Sequence, residues 1–330
     1  MTINNNKMKY LKIYLVNIVA IFSLFSCNPS NKKKQATYQT KFVSGSSNNK
    51  IEVLDFGGTG KSILFLTGLG NSAHVFVDFA PKFFDKFHVY AMSRRGFGAS
   101  EQTVSGYRID TLAMDILAVT KALNFDKIIL IGHSIAGDEI SKFASTYPDK
   151  VEKIIYLDAA YDRTNLMATL MPHMPAFPNL TAKDSSSFEN FKAFNAKMGV
   201  IMPDEELKST SVFSKDGKYL KGVTPDEIQG KIIMGIERPN YKSINCPALS
   251  IYAIASSAYT IIPFYDSLDS ANKKKADTCF TIFKNFGTEQ IALFKKEVKK
   301  GMVTEIKGAN HYIFISNPVE TENLIREFLK

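Results

Sequence analysis

The 330-residue sequence predicts an α/β fold, a mostly parallel central sheet with helices on both faces and a helical cap inserted into it. Three features carry that expectation. Short, β-branched apolar runs such as Ile128-Ile129-Leu130-Ile131 are what strands buried on both faces require. These runs alternate with segments of helical period, for example Ile109, Leu112, Ile116, Val119 and Leu123. The alternation breaks once, from Tyr161 to Asn245, where a Met-, Pro- and Phe-rich stretch (Leu166 to Pro178) opens a long insertion.

Residues 1–26 stand apart from that domain. Lys7, Lys9 and Lys12 form a basic start without acids, and Ile13 to Phe25 is an apolar run too short for a comfortable membrane span. The run ends Leu24-Phe25-Ser26-Cys27, which resembles a bacterial lipoprotein lipobox. The resemblance implies cleavage before Cys27, acylation of that cysteine (the source of any palmitate), and a lipid anchor on a cell-envelope membrane facing periplasm or exterior. Several acyl chains on one cysteine hold a protein to a bilayer far better than one. Residues 27–39 are polar and lysine-rich and read as a flexible tether.

The core is expected over 40–160 and 246–330, with 161–245 as cap. Lys41 to Ser44 and Lys50 to Phe56 read as an edge hairpin around Gly45-Ser46-Ser47-Asn48-Asn49. Ser62 to Leu66 is the next buried strand and runs into Thr67-Gly68-Leu69-Gly70-Asn71-Ser72, a loop whose glycines let backbone N–H groups face a pocket. His88 to Met92 is a strand leading to Ser93-Arg94-Arg95-Gly96-Phe97-Gly98-Ala99-Ser100, and the helix through Ile109 to Leu123 follows. Val151 to Leu157 is a strand ending at Asp158. Within the cap, helical pieces are expected near Phe188 to Met198 and Thr224 to Met234, with polar turns between them. The sheet resumes at Cys246 to Ala253. A helix at Thr281 to Lys299, a strand at Met302 to Ile306 and a closing helix at Pro318 to Leu329 complete it.

The stretch Lys127 to Tyr147 organises the rest: a buried strand, then Gly132-His133-Ser134-Ile135-Ala136-Gly137, then a helix closed by Pro148. A strand, a small-x-Ser-x-small turn and a helix make a nucleophile elbow, which holds the serine in strained backbone and demands small residues two before and two after it. Gly132 and Ala136 satisfy the demand. The turn exposes the Ser134 hydroxyl and presents the Ile135 N–H at a helix N-terminus.

Taken in order, the glycine loop, the R-G-x-G-x-S segment, the elbow, the insertion and a histidine before the last helix resemble the α/β-hydrolase superfamily over about residues 40–330. The resemblance implies a serine esterase or lipase-like hydrolase in which Ser134 attacks, His311 is the base, and the Leu69 and Ile135 N–H groups form the oxyanion hole. It gives Arg94 and Arg95 a mainly structural role. The acid departs from the common pattern, because Ala253 to Ala258 after the post-cap strand contains none. Asp158, after the strand preceding the cap, is the first candidate, with Asp266 or Asp162 as alternatives.

A serine nucleophile argues against the dehalogenase and epoxide hydrolase chemistries, which use a carboxylate. The expected partner is a small or apolar ester, with no cofactor and no metal. The missing acid motivates a rival reading, a non-catalytic ligand- or partner-binding surface lipoprotein on the same fold. Loss of the first 26 residues takes three lysines and no acids, so the net charge of +9 falls to +6. That excess lacks basic-aromatic clustering and does not support nucleic-acid binding. Cys246 and Cys279 remain, with pairing or free thiols both open.

Overall fold

The structure, a computed structural model, describes residues 38–199 and 201–330. The signal-peptide and Cys27 expectations, and nearly all of the tether, lie outside the described residues. In chain order the strands are β1 (Gln39–Ser44), β2 (Lys50–Gly57), β3 (Lys61–Leu66), β4 (Phe87–Met92), β5 (Ile128–His133), β6 (Val151–Leu157), β7 (Ser211–Phe213), β8 (Tyr219–Gly222), β9 (Ala248–Ile254) and β10 (Gly301–Lys307). Eight of them form one sheet in the order β1-β2-β4-β3-β5-β6-β9-β10. β2 pairs antiparallel with β1 and β4, and every junction from β4 to β10 is parallel. The first strand begins at Gln39, and Tyr38 packs edge-on against Phe56 and His74, so the packed core starts inside the segment read as tether.

Strand period places alternate side chains on opposite faces. Ile129 and Ile131 of β5 join Phe65, Phe76 and Phe314 on one face, while Ile128 and Leu130 join Leu64, Ile116, Ile140 and Phe143 on the other. The second face is covered by α1 (Ile109–Ala122) and α2 (Ala136–Thr146). β5 lies mid-sheet and all six of its residues are buried, which fixes the stem of the elbow.

Between β6 and β9 lie α3 (Leu166–Leu170), α4 (Phe188–Lys197), α5 (Asp204–Thr210), the β7–β8 hairpin and α6 (Asp226–Met234). The hairpin stands where polar turns are expected from the sequence. Its signal is Asp216-Gly217, with Gly217 at φ 82°, between Val212-Phe213 and Tyr219-Leu220. After β9 come α7 (Ala258–Ile261), α8 (Ser270–Glu297), α9 (Ile313–Ser316) and α10 (Pro318–Leu329). The helix expected from Thr281 starts at Ser270, capped by Asp269, whose side chain accepts from the Asn272 N–H. Its first turns carry Lys273-Lys274-Lys275, which hide the period. Ala276 and Cys279 pack against Leu170, Met174, Ile261 and Phe264, so this half of α8 and α7 build the roof together with the insertion. The other half sits on the sheet through Phe294. Cys246 and Cys279 are both free thiols, so the pairing left open by the sequence does not form.

Candidate active site

Ser134 stands between the last residue of β5 and the start of α2 with φ 55°, a left-handed conformation that is costly for a side chain with a Cβ. The small-residue requirement is sharpest at Gly137, where an added Cβ would lie 2.0 Å from the Ala159 carbonyl oxygen. At Gly132 the same test gives 3.1 Å to the Ala136 carbonyl. His311 lies in the bend between β10 and α9. Its Nδ1 is 2.6 Å from Asp158 Oδ2 and its Nε2 is 2.8 Å from Ser134 Oγ. A carboxylate offers only acceptors, so Nδ1 carries the hydrogen and Nε2 accepts from the serine hydroxyl.

Asp158 follows β6 directly, with φ 48°, and its side chain is 8% exposed. Its second oxygen, Oδ1, accepts from the Ala253 N–H at 3.0 Å and from the Tyr161 hydroxyl. Asp158 is therefore held from three sides. The alternatives are engaged elsewhere: the Asp266 carboxylate accepts from the Tyr259 hydroxyl, and Asp162 accepts from Thr164 Oγ1 at 2.6 Å. Tyr161 carries no signal in the sequence that singles it out. Its hydroxyl is held far above its usual titration range by burial, then by the neighbouring Asp158 charge, so it remains a donor.

Leu69 and Ile135, the two residues expected to present backbone N–H groups, line the same cavity as Ser134 and His311. Arg94 fixes the Leu69 loop from behind: Nη2 donates to the Thr67 carbonyl at 2.7 Å and Nη1 to the Gly68 carbonyl at 3.3 Å. Arg95 is locked to Asp115 at 2.6 Å, and both arginines are buried, in keeping with the structural role expected of that segment.

His133 lines the same cavity as Ser134, and its ring packs against that of His311 at 4.6 Å between centroids. It is fully buried, and its Nε2 donates to the His311 backbone carbonyl at 3.0 Å. Burial, with the nearby His311 ring, holds it well below its ordinary pKa, so it is a neutral support for the loop that carries His311. Its ring also leaves room only for glycine at 68, where a Cβ would lie 2.8 Å from Nδ1.

A second support comes from the insertion. Glu206 of α5, 1% exposed, accepts from Ser72 Oγ at 2.5 Å, from the Ser72 N–H at 3.0 Å and from Asn71 Nδ2 at 3.0 Å. Burial pushes its carboxyl up to about 7 from 4.5, against the pull of those donors. A raised carboxyl pKa means that the folded chain keeps a proton that the unfolded chain loses. This contribution to stability is therefore whole below 4.5 and is lost as pH rises to about 7. The shift corresponds to a loss on the order of 3 kcal/mol at 1.36 kcal/mol per unit. Urea midpoints from pH 4.5 to 8 are expected to fall less steeply in Glu206→Gln than in wild type. Parallel curves would contradict the assignment.

The cavity over Ser134 measures about 490 Å³, within the range of small-molecule sites. Its walls are mostly apolar, with Leu69, Ile135, Met167, Leu170, Ile254 and Phe286 among them. Among the described residues no three His, Cys, Asp or Glu side chains converge as a metal site requires, and no helix is long and apolar enough to cross a membrane.

Comparison with known proteins agrees with this layout. The family profile described as the alpha/beta hydrolase fold matches residues 61–198. A 2-(acetamidomethylene)succinate hydrolase from Mesorhizobium japonicum is 27% identical over 203 residues, covering 59% of this chain and 70% of that enzyme. The crystal structure of an E-2-(acetamidomethylene)succinate hydrolase superposes with a TM-score of 0.67 at 19% identity, over 89% of this chain and 99% of that one. A thermophilic esterase from Thermogutta terrifontis superposes with a TM-score of 0.57 at 17% identity, over 88% and 98% of the two chains. With an eight-stranded, mostly parallel sheet, an elbow serine on its central strand and these likenesses, the chain has the α/β-hydrolase fold.

Proposed function

We propose that this protein is a serine carboxylic-ester hydrolase that works through Ser134, His311 and Asp158. The observation that carries the proposal is the unbroken relay of hydrogen bonds, 2.8 Å from Ser134 to His311 and 2.6 Å from His311 to Asp158, at a mostly apolar cavity. Ser134 Oγ attacks the ester carbonyl carbon while its proton passes to His311 Nε2. The negative charge that develops on the carbonyl oxygen is taken by the Leu69 and Ile135 N–H groups. His311 then protonates the departing alcohol, leaving an acyl-Ser134 ester. Water, deprotonated by His311, attacks that ester, and the same histidine returns the proton to Ser134 Oγ as the acid leaves. Asp158 keeps the imidazole in the tautomer that both steps need and balances its transient charge. The mechanism calls for no cofactor.

The cavity walls favour an apolar acyl group. The relative above is named for a succinate derivative; of the two cations that line the cavity here, Arg163 is already committed to Asp138 and to the Ser134 carbonyl, and Lys284 stands on α8. A fluorophosphonate probe is expected to label wild type and not Ser134→Ala, with p-nitrophenyl ester hydrolysis lost in the same variant. A wild type that neither labels nor hydrolyses any ester in a chain-length series would sink the enzyme reading. The non-catalytic binding lipoprotein would then take its place. We further propose lipid anchoring through Cys27, motivated by the Leu24-Phe25-Ser26-Cys27 ending. Metabolic palmitate label should disappear in Cys27→Ser, and label retained there would reject it.

A further inference from the structure

The two peptide units whose N–H groups face the reacting carbonyl in the proposed mechanism are each gripped from behind by an arginine. Gly68 C=O and Leu69 N–H belong to one unit, and the Gly68 oxygen accepts from Arg94 Nη1 at 3.3 Å. Ser134 C=O and Ile135 N–H belong to the other, and the Ser134 oxygen accepts from Arg163 Nη2 at 2.9 Å, as well as from the Gly137 N–H at 2.9 Å. No peptide bond among the described residues is cis. In a planar trans peptide the N–H points opposite to the C=O, so a cation held at the oxygen turns the hydrogen the other way. It also polarises the unit and makes the N–H a stronger donor.

The anchors of the two arginines are adjacent. Arg94 Nε donates to Glu139 Oε1 at 2.6 Å, and Arg163 Nη1 donates to Asp138 Oδ2 at 2.7 Å. Asp138 and Glu139 occupy the first turn of α2, directly beyond the elbow. The side chains of Arg94 and Glu139 are each 3% exposed, Asp138 is 1% exposed and Arg163 11%. Four charges so deeply placed are a poor route to stability, since well-packed apolar residues generally serve as well. Their placement behind these two peptides suggests another reason for them.

We propose that Arg94 and Arg163, held by Glu139 and Asp138, are positioning residues that set the direction and donor strength of the Leu69 and Ile135 amides. This rests on the hydrolase reading above. Arg163 is the side to test, because it is the more exposed of the pair and its loss disturbs the core less. In Arg163→Gln, kcat for a p-nitrophenyl ester is expected to fall about 10- to 100-fold, short of the roughly 10²–10³ that follows complete loss of an oxyanion donor. KM should stay within about threefold, because the ground-state ester gains little from these amides. The inhibition constant of an alkyl trifluoromethyl ketone, whose adduct with Ser134 carries the oxyanion, should rise in step with the loss in kcat/KM. Arg163→Lys keeps the charge beside Asp138 but cannot span both partners, and should recover part of kcat. It carries the same test should Arg163→Gln not fold. A raised KM with kcat held would make Arg163 a substrate contact and overturn the proposal. So would a variant with unchanged kcat, KM and ketone affinity, which leaves the hydrolase reading standing. A wild type inert toward both fluorophosphonate and esters removes that reading and this inference together.

Discussion

Asp158→Asn is expected to lower kcat about 10⁴-fold, the usual scale for an amide in place of the acid, while Asp162→Asn and Asp266→Asn stay near wild type. The reason lies in how Asp158 is held. Oδ1 accepts from the Ala253 N–H and the Tyr161 hydroxyl, so in the variant the amide oxygen stays at that position. Its NH2 must then face His311 Nδ1, which can only accept from it. The imidazole hydrogen moves to Nε2, where it confronts the Ser134 hydroxyl instead of receiving its proton. The fold need not change, so circular dichroism and the unfolding midpoint should match wild type while turnover collapses. A near-normal rate in Asp158→Asn, or a collapse in Asp266→Asn instead, would reassign the acid.

The largest loss of stability is expected in Arg94→Met. Glu139, 3% exposed, would lose its ion-pair partner, and the Thr67 and Gly68 carbonyls would lose their donors. Breaking one side of a buried pair costs about 3–5 kcal/mol. Burial already pushes the Glu139 carboxyl upward and Arg94 pulls it back, so removing the arginine drives it higher still. A carboxyl raised in the folded state loses stability as pH rises, and the deficit of Arg94→Met should therefore widen between pH 5 and pH 8. Guanidinium unfolding at the two pH values measures it. A deficit below about 1 kcal/mol at both would mean that this pair is not holding the loop.

The parts of the site that are legible in the sequence are those whose chemistry is local. The elbow can be read because backbone strain forces small residues into a five-residue window around Ser134. His311 can be read because a turn between the last strand and last helix has a fixed place in this fold. Asp158 can only be ranked above Asp162 and Asp266, and the structure brings it, and not the others, to His311. The supports are not legible. Arg163 reaches back 29 positions to Ser134, Glu206 reaches 134 positions to Ser72, and His133 grips a carbonyl 178 positions away. Such contacts are set by how strands are ordered in the sheet, which no short window carries. The first half of α8 escapes a sequence reading for a different reason: its apolar residues face the insertion, and three consecutive lysines mask their spacing.

That helix has a mechanical consequence. α8 runs 28 residues without interruption, from the roof beside Met174 at Cys279 to the sheet at Phe294. At 1.5 Å per residue it is a rod of roughly 40 Å. A rod clamped at one end does not swing at the other, so this side of the chamber behaves as a fixed wall.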